Sequence, residues 1–193
     1  MHIDSVKYSL PTIAVESFAF SDHSATIFEG ALQFHEDQWG QLEFFSRTRL
    51  PEIQGMLKEL KSFEAAHRGQ SGWNDIYLRS TPRLPIGELP PDFSHQAAAK
   101  FRPAPILTTS THPLGQLQNG FSIDLAEHAY LYGLEEAGQV TVLGALLQGA
   151  DDMILVNTFS DLNKKYGLIL VDWLQQFALV SVSADGQLEV WRP

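Results

Sequence analysis

Hydrophobic and polar positions change period several times along this chain, and each change predicts an element. Residues 25–34 (ATIFEGALQF) and 40–46 (GQLEFFS) are apolar, aromatic-rich runs flanking the polar HEDQW, a spacing that predicts an antiparallel hairpin. From residue 50 the period lengthens: Ile53, Met56, Leu57, Leu60 and Phe63 fall three and four apart and make one stripe of a helix. Pro51 suits its first turn and Gly69 its stop. Gly55 inside it costs up to about 1 kcal/mol relative to alanine, which the buried stripe offsets. GWNDIYLR, residues 72–79, returns to a strand pattern.

The pattern then breaks. From Pro82 to Pro113 the chain holds seven of its ten prolines, with room only for a short helix around residues 94–100. Proline fixes φ and removes a donor, so no long central strand or helix fits here. The stretch is a linker or a long ordered loop laid over a domain, and loops of that length are often functional.

The second half is apolar and β-rich. Within IDLAEHAYLYGLEEAG, Asp124 and Glu127 form a capping box for a helix, yet Tyr130 and Tyr132 alternate with Ala129 and Leu131 as in a strand, which is the preferred reading. QVTVLGALLQ, DMILVNTF, GLILVDW, FALVSVS and GQLEVW follow at short spacing and predict a β-meander. Ala178, Val180 and Val182 share one face of their strand, opposite Phe177 and Leu179, so neither face is fully polar and the helix from Pro51 is expected to cover one of them. The expectation is a single α+β domain over residues 1–193: a mostly antiparallel sheet, with a meander in the C-terminal half and one main amphipathic helix packed on it. An arrangement of two lobes, 1–81 and 114–193 joined by 82–113, is the alternative.

Composition narrows the function without naming it. A chain of 193 residues buries a real core unaided. The absence of cysteine removes disulfides, thiolate metal sites and cysteine nucleophiles, and fits a reducing cytoplasm. No signal-peptide pattern or long apolar run is visible, so the reading is of a soluble, cytoplasmic protein with no membrane partner. Thirteen basic against twenty-three acidic residues give a net charge of −10, which repels phosphate backbones; only pairs such as Arg47/Arg49 and Lys164/Lys165 offer a basic patch. Nucleic acid is thus not expected as a partner, a basic protein surface is permitted, and the oligomeric state stays open.

The C-terminal SVSADGQLEVW looks like the end of a WD-repeat propeller blade, but the chain has no fixed 40-to-45-residue period and no upstream Gly-His pair. A hairpin turn at Asp185-Gly186, of the type that needs positive φ at both positions, explains it. No G-x-S-x-G elbow, Walker A loop or G-x-G-x-x-G fingerprint is present, and the seven histidines never occur as H-x-H or H-x-x-x-H. No catalytic residue, metal ligand or cofactor is assigned.

Weaker candidates remain. His35, Glu36 and Asp37 gather a base and two carboxylates beside Trp39, although polar residues are also what a turn selects. Asp151 and Asp152 after Gly149 carry the same ambiguity. Asp124 and His128 would share a helix face as an oriented acid/base pair. Trp39 and Trp73, at loop edges, suit an interface or a core, while Trp173 and Trp191 lie in the apolar meander. Two classes follow. The favoured one is a non-enzymatic protein-binding module, with Trp39, Trp73, Glu36 and Asp37 as binding residues; toxin-neutralising bacterial immunity proteins share its composition, though no motif. The other is a small-ligand binder or enzyme whose pocket is covered by residues 82–113, with His35, Asp124 and His128 as acid/base candidates.

Overall fold

A computed structural model describes residues 7–22, 29–86, 89, 90, 93 and 101–193. Its centre is an antiparallel sheet of eight strands in the order β13-β12-β11-β3-β10-β9-β8-β5. These are β3 (Leu42–Ser46), β5 (Phe101–Arg102), β8 (Gly120–Ala126), β9 (Ala129–Glu136), β10 (Gln139–Leu147), β11 (Leu168–Asp172), β12 (Phe177–Val182) and β13 (Leu188–Trp191). Helices α1 (Leu50–His67) and α2 (Asp152–Tyr166) lie on opposite faces. The fold is α+β.

Alternation along the strands supplies both faces. In β11, Leu168 and Leu170 point toward Leu155, Phe159 and Leu162 of α2, whereas Ile169 and Val171 meet Ile53, Leu57 and Leu60 of α1. Phe44 and Phe45 of β3 divide the same way. In β12, Ala178 and Val180 join the α1 side, but a register shift between Leu179 and Ser181 turns Val182 toward the α2 side, away from the face it was expected to share.

Several elements differ from expectation. DMILVNTF is the first half of α2, not a strand: the Asp151 carboxylate accepts the Met153 N–H at 2.8 Å as an N-cap, and Leu155, Phe159 and Leu162 form a helical stripe. Because α2 carries the chain from β10 to β11, which both run antiparallel to β3 between them, the C-terminal half is not an uninterrupted meander. Of the expected hairpin of residues 25–34 with 40–46, residues 25–28 lie outside the described residues, and the described part does not pair with β3. β2 (Gln33–His35) instead pairs in parallel with β6 (Ile106–Thr108), which pairs with β7 (Pro113–Gln116), because a 3-10 turn at Glu36–Gln38 sends the chain from one layer to the next. This three-stranded sheet packs Phe34 and Leu107 over Tyr132, Leu134, Val142 and Leu146, on the α1 side of the main sheet. The segment 123–138 is strand, β8 turning into β9 at Glu127-His128. The expected short helix at 94–100 lies outside the described residues.

Between α1 and the small sheet runs a strap of two parallel strands, β1 (Thr12–Ala14) and β4 (Tyr77–Arg79), the only strand left of the expected 72–79. Among the described residues no helix is long and apolar enough to cross a membrane.

The last hairpin closes through Ser183 N–H to Gln187 O at 2.9 Å and Gly186 N–H to Ser183 O at 3.0 Å. Only Gly186 has positive φ, +85°, and Asp185 does not, so the loop is one residue longer than the expected two-residue turn. A Cβ at 186 would meet no atom within 4 Å, which leaves the backbone conformation as its sole constraint. Gly186→Val is therefore expected to cost about 1–2 kcal/mol, a fall of several degrees in melting temperature, because a β-branched residue resists this φ. An unchanged melting curve would contradict it.

Candidate functional site

A groove of about 890 Å³ opens between α2 and the end of β8. Alternation in β8 and β9 places Ile123 and Leu131 on its floor, and Leu125, Ala126, Ile154 and Leu162 extend the apolar surface. The exposed side of α2 supplies the rim: Asn157 and Asp161 lie one turn apart, followed by Lys164 and Lys165. Phe93, from the proline-rich segment, adds a wall and meets Phe121 and Tyr166 edge-on. The two lysines sit in the last turn of α2, where cations suit the helix dipole.

Of the residues singled out from the sequence, Asp124 lines this groove. Its carboxylate is engaged by the Arg102 guanidinium, which also donates to Gly30 O at 3.1 Å and lies 5.6 Å from the Tyr130 ring centre. His128 is not beside it on a helix face. It occupies the β8–β9 turn at φ 62°, with Nε2 3.6 Å from Glu127, and in the strand register Asp124 stands opposite Tyr130.

His35, Glu36 and Asp37 gather at the 3-10 turn after β2. His35 Nδ1 accepts the Asp37 N–H at 3.2 Å and lies 3.4 Å from Asp37 Oδ2, while Nε2 is 3.2 Å from Ser110 Oγ. Spatially this is a Ser-His-Asp set, but the capping bond dictates the tautomer. An amide can only donate, so Nδ1 is the acceptor, Nε2 carries the proton, and the imidazole has no lone pair with which to take the Ser110 proton.

Trp39, 1% exposed, packs against Phe18, Phe34 and Tyr132 and serves the core. Trp73 is half-buried; its carbonyl accepts the Lys7 and Tyr8 amides at 3.0 Å, pinning the chain ahead of the strap. Asp151 is consumed as the α2 cap. Among the described residues no group of three or more acidic or histidine side chains is placed to hold a metal.

The chain gives no significant match to protein-family models, curated proteins or solved structures.

A second polar feature, unforeseen in the sequence, lies under the strap on the face opposite the groove. Arg79, 2% exposed, donates from Nε to Thr12 Oγ1 and from Nη1 to Gly40 O, both at 3.0 Å, and from Nη2 to Gln41 Oε1 at 3.4 Å. Its guanidinium covers the Trp173 ring at 4.4 Å. Glu43 Oε2 is 4.0 Å away. Burial pushes the Glu43 carboxyl up to about 7, with Glu16 acting in the same direction and Arg79 opposing. Burial likewise pushes Arg79 down to about 10. The Trp173 indole N–H favours charged Glu43 but stops short of a hydrogen bond to any group. The signal for this joint was a lone charge inside each of two apolar strands, the Glu in LEFFS and the Arg closing IYLR.

Tyr132 anchors the same joint from the sheet. Its hydroxyl accepts the Gly40 N–H at 2.8 Å, and its ring lies over Gly144, the residue opposite it in β10, where a Cβ would come within 2.5 Å of the ring. Tyr132→Phe leaves a buried amide without an acceptor and is expected to cost about 1–3 kcal/mol. Gly144→Ala, which drives a methyl into the ring, should lower stability by a comparable or larger amount. Urea unfolding of both variants checks this, and a Tyr132→Phe variant as stable as the parent would remove the hydroxyl from the account.

Proposed function

We propose that the protein is a non-enzymatic, cytoplasmic protein-binding module that takes a segment of a partner polypeptide into the groove between α2 and β8. The observation that carries this reading is the composition of the groove: a continuous apolar floor of Ile123, Leu125, Ala126 and Leu131, edged by Asn157, Asp161, Lys164 and Lys165. An apolar centre within a polar rim is the anatomy of a recognition surface, and a groove beside a helix suits an elongated segment. The net charge of −10 favours a partner with a basic surface and speeds encounter with one at low salt. In composition this resembles acidic immunity proteins, a likeness of profile rather than of motif.

A second reading, a small-ligand pocket walled by the proline-rich segment, is favoured by the volume. About 890 Å³ lies within the range of roughly 300–1,000 Å³ typical of small-molecule sites, and Phe93 forms one wall.

Asn157→Trp distinguishes the two. The position is exposed on α2, so an indole there fills the groove without entering the core. Affinity purification from the native host is expected to recover a polypeptide with the parent protein and to lose it with Asn157→Trp, at equal melting temperature. Recovery of the same proteins by both, or of the parent protein alone, overturns the binding-module reading. A thermal shift of the parent with one member of a metabolite panel, absent in Asn157→Trp, would establish the ligand reading instead.

A further inference from the structure

We propose that Glu43 and Arg79 form a proton-operated latch for the strap, which holds β1 and β4 against the main sheet when Glu43 is neutral and releases them when it is ionised. The geometry has two competing uses for one guanidinium. In the structure Arg79 is spent on the strap and its seat: Thr12 in β1, the Gly40 carbonyl and the Gln41 side chain. Gln41 returns a bond of its own, Nε2 to Thr12 O at 3.0 Å. Glu43 waits at 4.0 Å, too far for a hydrogen bond and close enough for a strong pull once charged.

The surroundings of Glu43 make ionisation disruptive. From the strap and its continuations it faces Arg79 and Glu16, the latter held by Arg83 Nη2 at 2.7 Å. From the start of α1 it faces Arg49, already bidentate with Glu52 at 2.7 and 2.9 Å. From β9 comes Tyr132, whose phenol burial keeps neutral, and from beyond β11 the Trp173 indole. Thr141 Oγ1, buried and without a hydrogen-bond partner, borders the same crevice as Glu16 and Glu43. A second buried anion there repels Glu16, and among the described residues around Glu43 Arg49 and Arg83 are already paired with other carboxylates, which leaves Arg79 to answer it. Drawing Arg79 onto Glu43 as a bidentate pair removes it from Thr12 and Gly40, the bonds that seat β1 and β4.

The sign follows from linkage. Glu43 titrates near 7 when enclosed and near its ordinary 4.5 when the strap opens to water. The closed state binds the extra proton, so its advantage is full below about 4.5 and is lost as pH rises through about 7. Between about pH 6 and about pH 8 the opening equilibrium should rise about tenfold.

Hydrogen exchange, corrected for the chemical rate, tests this on the strap amides Val15, bonded to Arg79 O, and Tyr77, bonded to Pro11 O. The parent is expected to lose about tenfold in protection at these amides between the two pH values, with β9 and β10 unchanged. Glu43→Gln should keep high protection at both. Glu16→Gln, which removes a repelling charge and leaves Glu43 in place, should move the opening to lower pH. Constant parental protection, an equal loss in Glu43→Gln, or a loss shared by β9 and β10 overturns the latch. Should Glu43→Gln not fold, an unmoved midpoint in Glu16→Gln overturns it as well.

Discussion

An arginine enclosed between layers sets the terms for everything on the α1 side of the sheet. A buried guanidinium must have its donors satisfied or it costs several kcal/mol, and the acceptors that satisfy Arg79 come from two separate places in the chain, Thr12 and the adjacent pair Gly40 and Gln41. Each is therefore fixed relative to the others. Gly40 is also held by Tyr132, which ties the arrangement to β9, and the Trp173 ring beneath Arg79 ties it to the end of β11. Among the described residues the apolar clusters under the small sheet and under α1 are separate, and these polar contacts bridge the seam between them.

Much of the fold was legible because local pattern and final environment agree. The stripe Ile53, Leu57, Leu60 is periodic in sequence and buried in fact, and the alternation of Tyr130 and Tyr132 does describe a strand. The misreadings arise where a short apolar run is ambiguous or where pairing is remote. MILV has the composition of a strand, and only Asp151 as a cap, with Phe159 and Leu162 further on, makes it a helix. The run ending in β2 and the strand β3 are adjacent in sequence yet belong to different sheets, a choice made by a 3-10 turn and by partners roughly 70 to 130 residues away.

The candidate sites were legible to a lesser degree, for a related reason. Polar residues at turns, such as His35, Asp37 and Asp151, stand out in the sequence, and the structure gives His35 and Asp151 capping duties that any sequence scan confuses with chemistry. The groove floor, by contrast, is made of ordinary aliphatic residues from β8, β9 and α2, which no motif marks. Glu43 and Arg79 were each visible as charges within apolar strands, but their meeting depends on the strap crossing over the sheet, which no local pattern announces.

The position of β3 bears on how the molecule is built in time. It is among the first strands in the chain and lies in the interior of the sheet, and both of its neighbours, β10 and β11, follow roughly 100 to 130 residues later. Both edges of this apolar, aromatic strand stay unpaired until most of the chain has been made, and α1, formed just after it, is the nearest element able to shield it. Such a topology folds slowly and exposes an aggregation-prone segment while it does so. Substitutions in residues 42–46 therefore bear on passage through synthesis as well as on stability at equilibrium, where Phe44 and Phe45 are core residues.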